Sequence, residues 1–246
     1  MSPWFSFAFS NMSIAENVAV IRERVAAAAR RAGRSAEDVV LMGVSKTFPA
    51  AAIREAYSAG IRVFGENRVQ EFAGKLEALA DLRDAEWHLI GHLQSNKTSK
   101  ASELFHAVDS VDSLKLAARL DSAAAAVGKK LRILIEINIG GESVKTGLAP
   151  DSSELEQLLQ AAPRLKHTEI RGLMTIPPFA ENPEETRPYF RKLRELRDSI
   201  QLRKRPGLTL KVLSMGMSHD FEIAIEEGST SVRVGTGIFG TRSYNL

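Results

Sequence analysis

The sequence has no cysteine at all. That excludes disulfides, thiolate metal ligands and a thiol nucleophile, and it is compatible with a reducing, cytoplasmic setting. No apolar run approaches the roughly 18–20 residues that a membrane-spanning helix requires. An excess of one charge is missing too, since 33 Lys and Arg face 30 Asp and Glu, a net charge of +3. Both signs are interspersed, which argues against a nucleic-acid partner. The one dense basic stretch, 187–205, also carries Glu195, Asp198 and apolar residues, and it reads as the solvated face of a helix. Internal repeats, low-complexity tracts and linkers are absent as well.

Residues 1–11 are aromatic and apolar but lack the basic start and small-residue cleavage site of a signal peptide. Residues 1–12 are expected to form a disordered extension, and residues 13–246 the folded domain. Ser13-Ile14-Ala15-Glu16 is a capping box, followed by Ile14, Val18, Ile21 and Val25 at helical spacing up to Gly33. Apolar strands are then predicted over 39–44, 61–64, 87–93, 105–111, 131–139, 169–176, 208–213 and 231–234. Helical stretches follow them at 49–57, 67–79, from 95, and at 112–128, 151–162, 182–200 and 218–227. Such an alternation of continuous apolar strands with helices predicts parallel pairing with both faces covered. The fold class is α/β, a single (β/α)8 barrel of the TIM type with an extra N-terminal helix. A doubly wound sheet would need a glycine-rich loop after its first strand, and Gly43-Val44-Ser45-Lys46-Thr47 is not one.

In such a barrel the site lies at the carboxyl ends of the strands. Lys46 follows the first strand, where partial desolvation favours the free amine needed for Schiff-base chemistry. Ser214-Met215-Gly216-Met217-Ser218 follows the seventh strand, and Val234-Gly235-Thr236-Gly237 the eighth. Backbone N–H groups of two such turns, with serine and threonine hydroxyls, make a phosphate cradle. A reactive lysine with a phosphate grip across the barrel mouth suggests pyridoxal 5′-phosphate (PLP). A sugar-phosphate aldolase with a Schiff-base lysine uses the same parts. His88 and His92, four apart on one predicted strand, lack a third ligand for zinc and read as structural. His219 could cap a helix or face the phosphate, and Glu66 with Glu136 could form a carboxylate pair.

Several blocks occur together in one order: Val44-Ser45-Lys46-Thr47, Phe64-Gly65-Glu66-Asn67, Trp87-His88-Leu89-Ile90-Gly91, Leu93-Gln94-Ser95-Asn96-Lys97, Arg171-Gly172-Leu173-Met174, Ser214 through Ser218, and Val234 through Gly240. In these the chain resembles the pyridoxal phosphate homeostasis protein family over nearly everything from Ser13 onward. The resemblance implies a barrel similar to the N-terminal domain of alanine racemases, binding PLP without an established catalytic reaction. It implies a role in vitamin B6 and amino-acid balance. By position, Lys46 matches the family's Schiff-base lysine, so PLP is expected to be covalent on Lys46. Ser214, Gly216 and Ser218 match its phosphate turn, Gly235 and Thr236 its second phosphate loop, and Arg233 the arginine near the pyridine nitrogen. Asn67 and Asn138 match positions near the ring. Phe48 stands where some members carry a second lysine, and Lys145 is the remaining candidate for a second contact.

The expected function is buffering or delivery of PLP, with apo PLP-dependent enzymes as partners and no membrane or nucleic acid. Nothing in the sequence demands more than a monomer. The enzyme alternative is a PLP-dependent racemase or lyase of the alanine-racemase-like barrel type. Its second base would have to come from Tyr57, Tyr189, His88 or Tyr244, because 246 residues leave no room for the β-rich domain of those enzymes. A pure scaffold is the third class.

Overall fold

Ser13 opens the first helix as its capping box predicts. Its Oγ accepts from Glu16 N at 3.2 Å, and Glu16 Oε2 accepts from Ser13 N at 2.7 Å. The computed structural model describes residues 12–142 and 146–241. Residues 1–11, Lys145 and Tyr244 lie outside the described residues, and so do the expectations placed on them. Helix α1 (Ile14–Arg31) leads into β1 (Val40–Val44), α2 (Ala50–Ser58), β2 (Val63–Glu66), α3 (Val69–Lys75) and β3 (Glu86–Leu89). The chain continues through α4 (Thr98–Leu104), β4 (Ala107–Val111), α5 (Leu114–Ala126), β5 (Leu131–Glu136), α6 (Ser153–Ala161) and β6 (Thr168–Met174). It closes with α7 (Arg187–Leu202), β7 (Val212–Met217), α8 (Phe221–Glu226), β8 (Ser231–Val234) and the single turn α9 (Thr236–Phe239).

The strands pair in parallel in chain order, and β8 returns to β1 through Gly43↔Val234. The predicted (β/α)8 barrel is therefore the fold. Its helix-facing core is apolar, with Phe64 stacked on Trp87 and Phe72 tilted against Trp87 and Phe105, at centroid separations of 4.8–5.0 Å. Because α9 is only one turn, α1 fills the eighth place in the helical ring, packing on α8, α9 and α2. Val18, Ile21, Val25, Ala28 and Ala29 form its buried stripe.

Two strands differ from the sequence expectation. β3 stops at Leu89 instead of reaching 93: Ile90 N still donates to Glu66 O at 2.9 Å, and at Gly91 the chain then closes on the Asn67 backbone. β7 lies at Val212–Met217, several residues beyond the expected 208–213. The Ser-Met-Gly-Met run that looked like a turn is strand, because Ser214 faces the barrel lumen and is fully buried. The basic stretch is also less solvated than expected. Arg187, Arg191 and Arg194 of α7 reach the buried Glu227 at 3.3, 2.9 and 3.1 Å, tying that helix to the end of α8.

Candidate active site

Lys46 stands two residues past β1, half-buried, in a turn whose next residue, Thr47, has a left-handed φ of +68°. That conformation costs a non-glycine residue about 1–2 kcal/mol, so the turn must be held from outside. Glu71 on α3 holds it, accepting from both Thr47 N and Lys75 Nζ, the latter at 2.8 Å. Lys75 also donates to Ser45 O at 3.1 Å and to the two Glu66 oxygens at 3.1 and 3.2 Å. Ser45 Oγ closes the ring by donating to Glu66 Oε1 at 2.6 Å. Both residues flanking Lys46 are thus fastened to β2 and α3. Burial pushes the Glu66 carboxyl up, against Ser45 and Lys75. Burial acts upward on Glu71 as well, but the Lys75 and Thr47 hydrogen bonds prevail and hold it below the usual carboxylate range.

The loops after β7 and β8 meet through one hydroxyl. Ser218 Oγ accepts from Gly235 N and from Gly237 N, each at 3.3 Å. Asp220 supports the first loop by accepting from Met217 N at 2.6 Å. Gly216 has φ +93°, and a Cβ there would lie 2.5 Å from Ala224 Cβ, so β7 can approach α8 only through glycine. Because β8 pairs with β1, a Cβ on Gly235 would sit 3.5 Å from Val44 Cβ. The second glycine loop therefore lies beside the lysine turn rather than across the mouth from it.

Arg233 points into the lumen and is buried, donating through Nη1 to Ser214 Oγ at 2.7 Å and through Nη2 to Thr175 O at 2.8 Å. Burial lowers its pKa, and the carboxylates of Asp109, Asp220 and Glu136 act the other way. Ser214 is consequently a lumen partner of this arginine, set below the level of the loops.

The match to known proteins follows this geometry. Residues 14–243 match the family model described as alanine racemase, N-terminal domain. The pyridoxal phosphate homeostasis protein of Aquifex aeolicus is 48% identical over 95% of this chain and 100% of its own length. That of Pseudomonas aeruginosa is 47% identical over 94% of this chain and 97% of its own. The chain belongs to the pyridoxal phosphate homeostasis protein family. A solved structure of another protein, PipY from Synechococcus elongatus with PLP bound, is 42% identical. It covers 93% of this chain and all of its own, at a TM-score of 0.81. An alanine racemase from Clostridium difficile shares the fold at a TM-score of 0.65 and 15% identity, and this chain covers 58% of it.

Of the other residues that the family resemblance singled out, Asn67 follows β2 directly and is half-buried, with Gly91 packed against its backbone. Asn138 exchanges two hydrogen bonds with the Glu142 backbone, at 2.9 and 3.2 Å, and so shapes its own loop. Thr236 is exposed at the head of α9. The two histidines expected on one strand part company. His88 lies in the lumen, 3.1 Å from Asp109 through Nδ1, while His92 is beyond β3, exposed and 3.6 Å from Asp112. His219, which could cap a helix or face the phosphate, donates to Glu181 O at 3.0 Å and stacks on Phe179. Glu136 accepts from Thr146 Oγ1 at 2.8 Å, whereas Glu66 serves Ser45 and Lys75, so the two carboxylates have separate partners. Among the described residues, no group of His, Cys, Asp and Glu is placed to hold a metal ion, and no helix is long and apolar enough to cross a membrane. Sequence reasoning missed the Ser45–Glu66–Lys75–Glu71 ring. Its one local signal was the i,i+4 spacing of Glu71 and Lys75.

Proposed function

We propose that this chain binds pyridoxal 5′-phosphate at the carboxyl-terminal mouth of the barrel, covalently through Lys46, and holds or delivers it in cellular B6 homeostasis. The observation that carries this reading is the convergence of the Lys46 turn with the Gly235 and Gly237 N–H groups at Ser218 on adjacent strands. The residues fit the group. Two backbone N–H groups already converge on an oxygen, as a phosphate oxygen requires. When bound, the cofactor supplies an aldehyde that condenses with a primary amine. The protein's part is to hold Lys46 Nζ at the mouth, through the anchored Ser45 and Thr47, and to cradle the phosphate with Ser218, Gly235 and Thr236. Arg233, kept charged in the lumen by Asp109, Asp220 and Glu136, is the partner we assign to the pyridine nitrogen. A cation there leaves that nitrogen unprotonated, which weakens the ring as an electron sink and suits storage more than turnover. We further propose that the protein acts as a cytoplasmic monomer and that apo PLP-dependent enzymes are the recipients. The names of its relatives and the PLP-bound neighbour support the cofactor assignment.

The test is to load purified protein with PLP, reduce it with borohydride and map the modified peptide. About one label per chain on Lys46, lost in Lys46→Ala with the fold retained, is the expected result. Label on Lys75 or Lys97 instead overturns the assignment.

A further inference from the structure

A cavity of about 360 Å³ opens between the loops that leave β2 and β3. Asn67, Arg68 and Gln70 line it from one side, and His92, Gln94 and Lys97 from the other. Two of the sequence blocks noted above, Gly65-Glu66-Asn67 and Leu93 through Lys97, therefore share one concavity. The cofactor grip makes no use of Arg68, Gln94 or Lys97. The wall offers two permanent cations, an imidazole and three amides, and among the described residues no carboxylate lines it. Asp112, outside the lining, lies 3.6 Å from His92 Nδ1. Its frame is rigid. A Cβ on Gly91 would come within 2.4 Å of Asn67 O, and Ser110 Oγ donates to Gly91 O at 2.7 Å, so the two loops are locked together. A hollow on a fixed backbone frame, lined by donors and, among the described residues, by no carboxylate, is suited to a small oxyanion. The volume lies at the small end of small-molecule sites.

We propose that this cavity binds the oxyanion group of a small molecule, a carboxylate or a phosphate, through Arg68 and Lys97 with the Gln94 and Asn67 amides in support. Arg68 presents a planar fork and Lys97 a compact charge, a combination that accepts either group. This site stands whether or not Lys46 carries the cofactor.

The experiment is an NMR titration of PLP-loaded protein at constant pH with inorganic phosphate and, separately, with acetate, which carries no amine. The ring signals of His92 report on the cavity. We expect a saturable shift with at least one anion. Its midpoint should move at least about tenfold in Arg68→Gln/Lys97→Gln, the scale of one lost charge-assisted bond. Saturation by phosphate alone assigns a phosphate-bearing ligand, and saturation by acetate alone a carboxylate. Absorbance of the loaded vitamer should be the same in wild type and variant, which separates this site from the cofactor site. If the double variant misfolds, Lys97→Gln alone should give a several-fold change. A shift that does not saturate, or one that saturates equally in wild type and variant, overturns the proposal.

Discussion

Replacing Ser218 by alanine tests the cofactor grip at its narrowest point. The Ser218 hydroxyl accepts two backbone N–H bonds at 3.3 Å, and its own O–H has no acceptor among the described residues. Losing the accepted bonds costs protein stability little. Both are at the long end of the N–H···O range; Gly235 is half-exposed, so water can replace the oxygen there, whereas Gly237 is buried, and about 1–2 kcal/mol is expected. The effect on PLP should be larger. A hydroxyl donating to a phosphate dianion contributes about 1.5–3 kcal/mol, which is roughly a ten- to hundredfold change in Kd. Pyridoxal, which lacks the phosphate, should bind wild type and Ser218→Ala alike. The assay is a pair of absorbance titrations with the two vitamers, alongside urea unfolding of both proteins. Equal losses for both vitamers would refute the argument, because Ser218 would then support the loops without gripping the phosphate. An unchanged PLP affinity would refute it as well.

The lumen makes a pH prediction. Burial alone would lower His88, but the Asp109 charge and hydrogen bond, with Glu86, raise it from 6.5 to about 9. A histidine whose folded pKa is raised contributes stability that is complete below about 6.5 and is lost as pH rises through about 9. Unfolding free energy should therefore fall by on the order of 3 kcal/mol between those limits, and His88→Gln should flatten the curve. Parallel pH profiles for the two proteins in urea melts would count against the Asp109 pairing. Gly216→Ala should destabilise by about 3 kcal/mol, combining a left-handed backbone with a Cβ 2.5 Å from Ala224 Cβ. A loss below about 0.5 kcal/mol in the same assay would mean that β7 can draw back from α8.

Most of the barrel was legible because its strands are covered on both sides and read as unbroken apolar runs. The fifth strand, with Leu131, Ile133, Leu134 and Ile135, is the clearest case. β7 was misplaced for the opposite reason. Ser214 and Gly216 face the lumen and the α8 contact, so polarity there marks the interior of a strand and not its end. β3 was drawn too long because Ile90 and Leu93 are apolar although they lie past its end, Ile90 close to Gly65 and Leu93 in the core. Lys46 and the Gly235 loop could be found from their positions after strands, whereas Gly216 lies inside β7. The ring that anchors the lysine could not, because Ser45, Glu66 and Lys75 meet across a strand, a neighbouring strand and a helix, a contact that no single periodicity encodes. Arg233 could be placed by family position, but its bond to Ser214 depends on how β7 and β8 register, through Ser214↔Ser231 and Met217↔Arg233 with a shift between them.

The replacement of the missing eighth helix by α1 has a consequence for how the site comes into being. Asn17 Nδ2 donates to Ile238 O at 3.0 Å, a bond between residues 221 positions apart, and a Cβ on Gly237 would lie 3.3 Å from Ile21 Cδ1. The backing of the glycine loop beside Ser218 is thus supplied by α1. The loop itself lies more than two hundred residues later in the chain. Closure at so great a separation in sequence is entropically slow and comes late in folding. A nascent or partly unfolded chain would carry Lys46 without a grip beside it. Capture of the vitamer would then report that the barrel has closed, and the cofactor, by binding only the closed form, would stabilise it in proportion to its concentration.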